Sequence, residues 1–124
     1  MISQKLASII KSKKDEVYVG SSTSINLFKL IKSILQSNKS IKNISTDNLN
    51  FPSDKYICEL IAKDFNIDFN FLDYGSDLMA DIEQLKEFIK EKRGIIVLSH
   101  VAFKSSYRYP VSYTHLTLPT TVSV

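Results

Sequence analysis

The feature that most constrains this chain is a regular alternation between amphipathic helical patterns and short apolar segments. Apolar residues recur three and four positions apart in "ISQKLASIIKSK" (2–13), "STSINLFKLIKSIL", "SDKYICELIAKDF" and "DIEQLKEFIKEKR". Between these lie "EVYVG", "IKNIST", "IDFNFLDY" and "GIIVLSHV", each of a length suited to one strand. Helices that alternate with strands predict an α/β fold with a mostly parallel sheet, in which ligand sites form at the carboxyl ends of the strands.

Local signals predict where some of these elements begin and end. Hydroxyl residues in "GSSTS" suit the start of the second helix, and Pro52 with Ser53 as its cap suits the start of the third. Gly94 suits the end of the fourth helix. We expect "EVYVG" to be a short buried strand and "GIIVLSHV" to be a strand buried on both faces, lying at an exposed edge of the sheet.

Composition limits the class of protein. With 44% hydrophobic and 23% charged residues, and no apolar run near the ~18 residues that span a bilayer, the 124-residue chain reads as water-soluble and cytoplasmic, with no membrane partner. The net charge of +3 comes from lysines interleaved with acidic residues, which favours solvated helix faces over nucleic-acid binding. A single cysteine excludes an internal disulfide, and we expect Cys58 to be buried packing.

Two of the segments that follow strands carry groups suited to a phosphorylated, planar ligand. "GSSTSIN" offers free amides, a helix dipole and hydroxyls, an arrangement that binds phosphate, although it lacks the Gly-Lys-Ser/Thr of a Walker loop. In "NLNFPSD", Phe51 could stack on a flat ring while Asp54 pairs with a ring nitrogen. Ordinary helix initiation by hydroxyls, proline and an acidic residue is the commoner explanation of each segment taken alone, and both interpretations stay open.

The third such segment, "SHVAFKSS", contains His100, which we interpret as a core histidine. No second His, Cys or carboxylate stands at a metal-like spacing from it, so no metal site is expected.

Taken in order, S-T-S-I-N-L-F, F-P-S-D and S-H-V-x-F-K resemble kynureninases over residues 1–109. Kynureninases are pyridoxal-phosphate hydrolases of the aspartate-aminotransferase superfamily that cleave L-kynurenine to anthranilate and L-alanine in tryptophan degradation and NAD biosynthesis. The resemblance implies part of the large domain of a fold-type I enzyme, pyridoxal 5'-phosphate as cofactor, a homodimer, and L-kynurenine or 3-hydroxykynurenine as substrate.

The resemblance also implies a set of cofactor-binding residues: Thr23, Ser24, Phe51, Pro52, Ser53, Asp54 and Ser99. Thr23 and Ser24 stand where the family binds the phosphate. Phe51 stands where an aromatic ring stacks on the pyridine, and Asp54 where a carboxylate near the ring nitrogen favours its protonated form. Ser105 and Ser106 replace the usual Thr/Ser-Gly pair, so the resemblance does not determine the conformation of this turn.

The lysine that binds the cofactor covalently in this family lies further along the family's sequence, as do its invariant pyridinium-binding aspartate and the histidine and tyrosine around them. No catalytic residue is therefore assigned, and the chain itself is expected to be inactive. A cysteine desulfurase fragment is an alternative, but such enzymes commonly stack a histidine on the pyridine, where this chain has Phe51. A small non-catalytic α/β binding module is another. It would need an acidic cluster at the first strand end or a Gly-rich phosphate loop, and neither is present.

The last fifteen residues, "PVSYTHLTLPTTVSV", contain no Lys, Ile, Asn, Asp, Glu or Arg. "VSYTHLTLPT" is what GTC TCT TAT ACA CAT CTG ACG CTG CCG ACG encodes, a transposase-type sequencing adapter. We therefore expect a native segment 1–109 and a non-native tail 110–124, in which Tyr113 and His115 are not site residues. The genuine protein is expected to continue past Tyr109.

Overall fold

A computed structural model describes residues 1–110 and the backbone of residues 121–123. In these residues, four helices alternate with three strands, and a fourth strand follows: α1 (Ile2–Ile10), α2 (Thr23–Ser37), β1 (Asn43–Asp47), α3 (Pro52–Asp64), β2 (Asp68–Leu72), α4 (Ile82–Glu91), β3 (Ile95–Leu98) and β4 (Thr121–Ser123). The strands form one sheet in the order β2-β1-β3-β4, and every pairing is parallel. The predicted α/β fold with a mostly parallel sheet is confirmed.

Helices cover both faces of the sheet because parallel strands need crossover connections. Alternate residues of β3 point to opposite faces: Ile95 and Val97 pack with α2 and α3, whereas Ile96 and Leu98 pack with α4. All four β3 residues are buried, as the unbroken apolar run predicts. The carboxyl ends of β1 and β3 therefore lie side by side, next to the loops that carry the candidate site residues.

Three predicted details of secondary structure are wrong. "EVYVG" is not a strand: Tyr18 is 69% exposed, and no described strand pairs with this segment, so its β-forming residues have no sheet to join. The first helix ends at Ile10, because Lys11 adopts a left-handed conformation (φ 58°). Ser53 is not the cap of α3, since the extended residue Phe51 occupies that position and Pro52 begins the helix.

The prediction of β3 as an exposed edge is also wrong for the described residues. Thr121, Val122 and Ser123 lie opposite Ile96, Val97 and Leu98, so β4 occupies that edge. The remainder of the predicted tail, with Tyr113 and His115, lies outside the described residues. None of the described helices combines the length and apolarity that crossing a membrane requires.

Candidate functional site

A cavity of about 470 Å³ lies where β1 and β3 end and where α2 and α3 begin. Its lining consists of Thr23, Ser24, Phe51, Ser53, Asp54, Ser99 and Phe103. Six of the seven residues proposed from the sequence therefore meet in one place. The seventh, Pro52, lies between two of them as the first residue of α3. Their role in binding a ligand stays a prediction.

The amino end of α2 provides one wall of the cavity. The Ser22 side chain caps the helix by accepting a hydrogen bond from the Ile25 amide at 3.2 Å. The backbone amides of Thr23 and Ser24 donate no hydrogen bond to any described residue. Two free N–H groups at the positive end of a 15-residue helix are suited to hold an anion such as phosphate.

A pair of aromatic rings forms a second wall. Phe51 and Phe103 are about half exposed, and their ring centroids lie 4.9 Å apart in an edge-to-face arrangement. Phe103 belongs to the "SHVAFKSS" segment but was not among the predicted site residues. Its position depends on a hairpin in residues 100–109, which has no periodic signal in the sequence.

Asp54 supplies the charge of the site. Its side chain lines the cavity, the residue is only 5% exposed, and within residues 1–110 the carboxylate has neither a hydrogen-bond donor nor a cation as partner. Burial raises the pKa of Asp54 above its usual value. A cationic or N–H group of a ligand placed in the cavity would compensate this buried carboxylate.

Cys58 lies one turn further along α3 and is fully buried. Burial, together with the negative charge of Asp54, raises the pKa of its thiol to about 12. Cys58 is therefore packing, as predicted, and not a nucleophile.

A second buried carboxylate, Asp47, ends β1 and was not anticipated from the sequence. One of its oxygens accepts hydrogen bonds from the amides of Leu49 and Asn50, both at 3.0 Å, and the other accepts one from the Tyr109 hydroxyl. Burial raises the pKa of Asp47, and these three hydrogen bonds offset part of the rise. Asp47 is thus a satisfied, structural group that fixes the loop leading to Phe51.

The segment after β3 folds back on itself and brings Tyr109 to Asp47. The hairpin is held by hydrogen bonds from Tyr109 N to His100 O (2.9 Å) and from Ala102 N to Tyr107 O (2.8 Å). At its turn Ser106 has φ 59°, the left-handed conformation that favours glycine. The sequence alone did not determine the conformation of this turn. In the structure, Ser106 adopts a conformation there that favours glycine.

His100 lies at the base of this hairpin. It is half-buried and not a full core residue, and its Nε2 accepts a hydrogen bond from Arg108 at 3.4 Å. Within the part of the chain that the structure describes, no group of His, Cys, Asp and Glu side chains is placed to hold a metal ion.

Comparison of the sequence with known proteins gives a consistent set of relatives. The chain matches no protein-family model. It is 33% identical over 112 residues to the kynureninase of Pseudomonas fluorescens, covering 87% of this chain and 26% of that protein. For the kynureninase of Shouchella clausii the identity is 32% over 108 residues, covering 84% and 25%. The chain thus spans about a quarter of the length of these relatives.

Comparison of the structure places the fold. The crystal structure of a putative histidinol-phosphate aminotransferase from Erwinia carotovora atroseptica superposes with a TM-score of 0.71 over 99% of this chain and 35% of that chain, at 15% sequence identity. The described residues therefore share the fold of part of that chain. The predicted fold class is confirmed, and the resemblance to kynureninases is supported by the sequence relatives.

Proposed function

We propose that the complete protein is a kynureninase, a pyridoxal-phosphate hydrolase that uses water to cleave L-kynurenine or 3-hydroxykynurenine into L-alanine and the corresponding anthranilate. The sequence relatives named above support this assignment. The observation that carries it is Asp54, a carboxylate 5% exposed and without a partner among residues 1–110, which lines a cavity between an aromatic ring and a helix amino terminus.

The residues around the cavity fit the chemical parts of pyridoxal phosphate. The free amides of Thr23 and Ser24 suit its phosphate, and Phe51 suits a face of its ring. The unpaired carboxylate of Asp54 suits its protonated ring nitrogen. When bound, the cofactor supplies an electron sink for the bond that is broken. In this proposal Pro52, Ser53 and Ser99 complete the lining around these three contacts.

The lysine that holds the cofactor covalently is expected in a part of the family sequence that this chain does not cover. We therefore propose that the chain by itself does not turn over kynurenine. In the proposed full-length form the enzyme is a cytoplasmic homodimer.

The test is to express the complete reading frame that contains this segment and to measure anthranilate released from L-kynurenine and 3-hydroxyanthranilate released from 3-hydroxykynurenine. Asp54→Asn is expected to lose most of the activity, whereas Asp68→Asn, at an exposed residue without a side-chain partner among residues 1–110, is expected to retain it. Release of sulfur from cysteine without kynurenine turnover would contradict the proposal and favour a cysteine desulfurase.

We also propose that residues 110–124 are translated adapter sequence, as their composition suggests. The pairing of β4 with β3 does not require a native sequence, because a strand edge offers unpaired backbone groups to any extended segment. Long-read sequencing of the source locus tests this. Genomic DNA that encodes VSYTHLTLPT followed by a stop codon would refute it.

A further inference from the structure

We infer that Asn50 is a positioning residue of the cofactor site, which holds Phe51 and Ser99 together through a single side-chain oxygen. The inference rests on the proposed function of the cavity. Asn50 is 4% exposed and does not line the cavity itself, but it lies directly behind two residues that do.

The hydrogen bonds of the Asn50 side chain divide into two sets. Its Oδ1 accepts from the Phe51 amide at 2.8 Å and from the Ser99 hydroxyl at 2.9 Å, both on the side of the cavity. Its Nδ2 donates to Thr46 Oγ1 at 3.0 Å, and the Val97 carbonyl lies 3.4 Å away, both within the sheet. The amide therefore links the carboxyl ends of β1 and β3 to the two residues that face the ligand.

This arrangement explains how the Phe51 ring is held although half of it is exposed. Phe51 is 50% exposed, and its ring contacts that of Phe103 at a centroid distance of 4.9 Å, so its position depends on this contact and on where its backbone is held. Asn50 Oδ1 holds the backbone of Phe51, the residue that caps α3, and Asp47 in turn holds the Asn50 amide at 3.0 Å. Loss of the Asn50 oxygen frees the Phe51 backbone and the Ser99 hydroxyl at the same time.

Asn48 offers a matched control in the same loop. Its side chain makes three hydrogen bonds, donating to Asp73 at 2.8 Å and to the Gly75 carbonyl at 3.2 Å, and accepting from the Tyr74 amide at 3.2 Å. It links β1 to the loop after β2, and none of these hydrogen bonds involves a residue of the cavity lining. Asn48→Ala therefore reports what the loss of a loop-fixing asparagine does to the fold alone.

The experiment measures the dissociation constant of pyridoxal phosphate for the complete protein in its cofactor-free form, by absorbance titration, and the thermal unfolding midpoint of each variant. Asn50→Ala is expected to weaken pyridoxal-phosphate binding about tenfold, and Asn48→Ala by less than about twofold. Thr46→Val keeps both contacts of Asn50 Oδ1, so it is expected to lower the unfolding midpoint with less than about twofold change in binding. If Asn50→Ala does not fold, Asn50→Ser replaces it with the same expectation, because its hydroxyl cannot reach both partners.

A double-mutant cycle identifies the route of the effect. If Asn50 acts through Phe51, the effect of Asn50→Ala on binding is expected to shrink to less than about threefold in a Phe51→Ala background. Equal effects of Asn50→Ala and Asn48→Ala, or full additivity with Phe51→Ala, would overturn the inference alone. Failure of the wild-type complete protein to bind pyridoxal phosphate would overturn the inference together with the proposed function.

Discussion

Two buried aspartates lie on either side of the short loop between β1 and α3, and they differ in the hydrogen bonds that their carboxylates accept. Asp47 is 1% exposed and accepts three hydrogen bonds, whereas Asp54 is 5% exposed and accepts none from residues 1–110. Burial raises the pKa of both. In the proposed function the cofactor pairs with the Asp54 carboxylate, whereas the paired Asp47 carboxylate stabilises the fold.

The difference arises from what each carboxylate faces. Asp47 points toward the hairpin that follows β3, where the Tyr109 hydroxyl reaches it and itself lies 3.1 Å from the Tyr74 hydroxyl. Asp54 lines the cavity, whose walls offer aromatic rings, helix-end amides and hydroxyls, and no donor among residues 1–110 forms a hydrogen bond with its carboxylate. The contrast predicts opposite outcomes when each charge is removed.

The largest expected effect is that of Asp47→Ala on stability. The substitution leaves the Tyr109 hydroxyl and two loop amides without their acceptor, so the free energy of unfolding should fall by about 3 kcal/mol. Urea unfolding of the complete protein measures it, with Asp68→Ala as an exposed control that should change stability by less than about 0.5 kcal/mol. An Asp47→Ala variant as stable as this control would contradict the structural role of Asp47.

The next effect concerns catalysis. Asp54→Ala in the complete enzyme is expected to lower kcat about tenfold or more while changing pyridoxal-phosphate affinity less. The carboxylate favours the protonated pyridine ring, and a shift of one unit in the pKa of the ring nitrogen changes the ratio of protonated to neutral ring by a factor of ten. Phe51→Ala should do the reverse and mainly weaken cofactor retention, because ring contact contributes to binding. Steady-state kinetics and cofactor titration separate the two, and wild-type values for both variants would remove these residues from the site.

A smaller effect is expected at the hairpin that carries Tyr109 to Asp47. Ser106→Gly should stabilise the complete protein by about 0.5 kcal/mol, because glycine adopts φ 59° without the steric cost that serine meets there. The neighbouring Ser105→Gly, at a residue without positive φ, should lower stability instead. Thermal unfolding of both variants measures the pair, and destabilisation by Ser106→Gly would show that this turn is not left-handed in solution.

The smallest effect is the pH dependence contributed by Asp54 in the cofactor-free protein. Since the folded pKa lies above the unfolded value near 3.8, the folded state binds the proton more tightly, and stability falls as pH rises from 3.8 through the raised pKa. Asp54→Asn should flatten this part of the profile and be the more stable form at neutral pH. Asp47 contributes a slope of the same sign in both proteins, so the difference between them isolates Asp54.

Local pattern predicted much of the fold. Helical spacing located α2, α3 and α4, and the apolar run "GIIVLSHV" located β3, because each element is decided by which of its faces is buried. The prediction of a strand at "EVYVG" is wrong because a strand needs a neighbour to pair with. Its residues favour a strand, but no described strand pairs with it.

The site was predicted only as far as strand ends and helix starts could locate it. The strand-end rule correctly brought Phe51 and Ser99 to one cavity. Thr23 lies there as the first residue of α2 and not after a strand, because the segment "EVYVG" before it is not a strand. It could not distinguish Asp47 from Asp54, because the group that satisfies Asp47 is Tyr109, 62 residues further along the chain. Long-range partners of this kind, and the hairpin that places Phe103 beside Phe51, depend on tertiary packing and leave no periodic trace in the sequence.

A crystal structure of the complete protein with pyridoxal phosphate bound tests the proposed cofactor site most directly. We expect phosphate oxygens within hydrogen-bond distance of the Thr23 and Ser24 amides, the pyridine ring against Phe51, and the ring nitrogen facing the Asp54 carboxylate. A cofactor bound elsewhere, or a ring whose nitrogen faces away from an Asp54 that has found a protein partner, would contradict it.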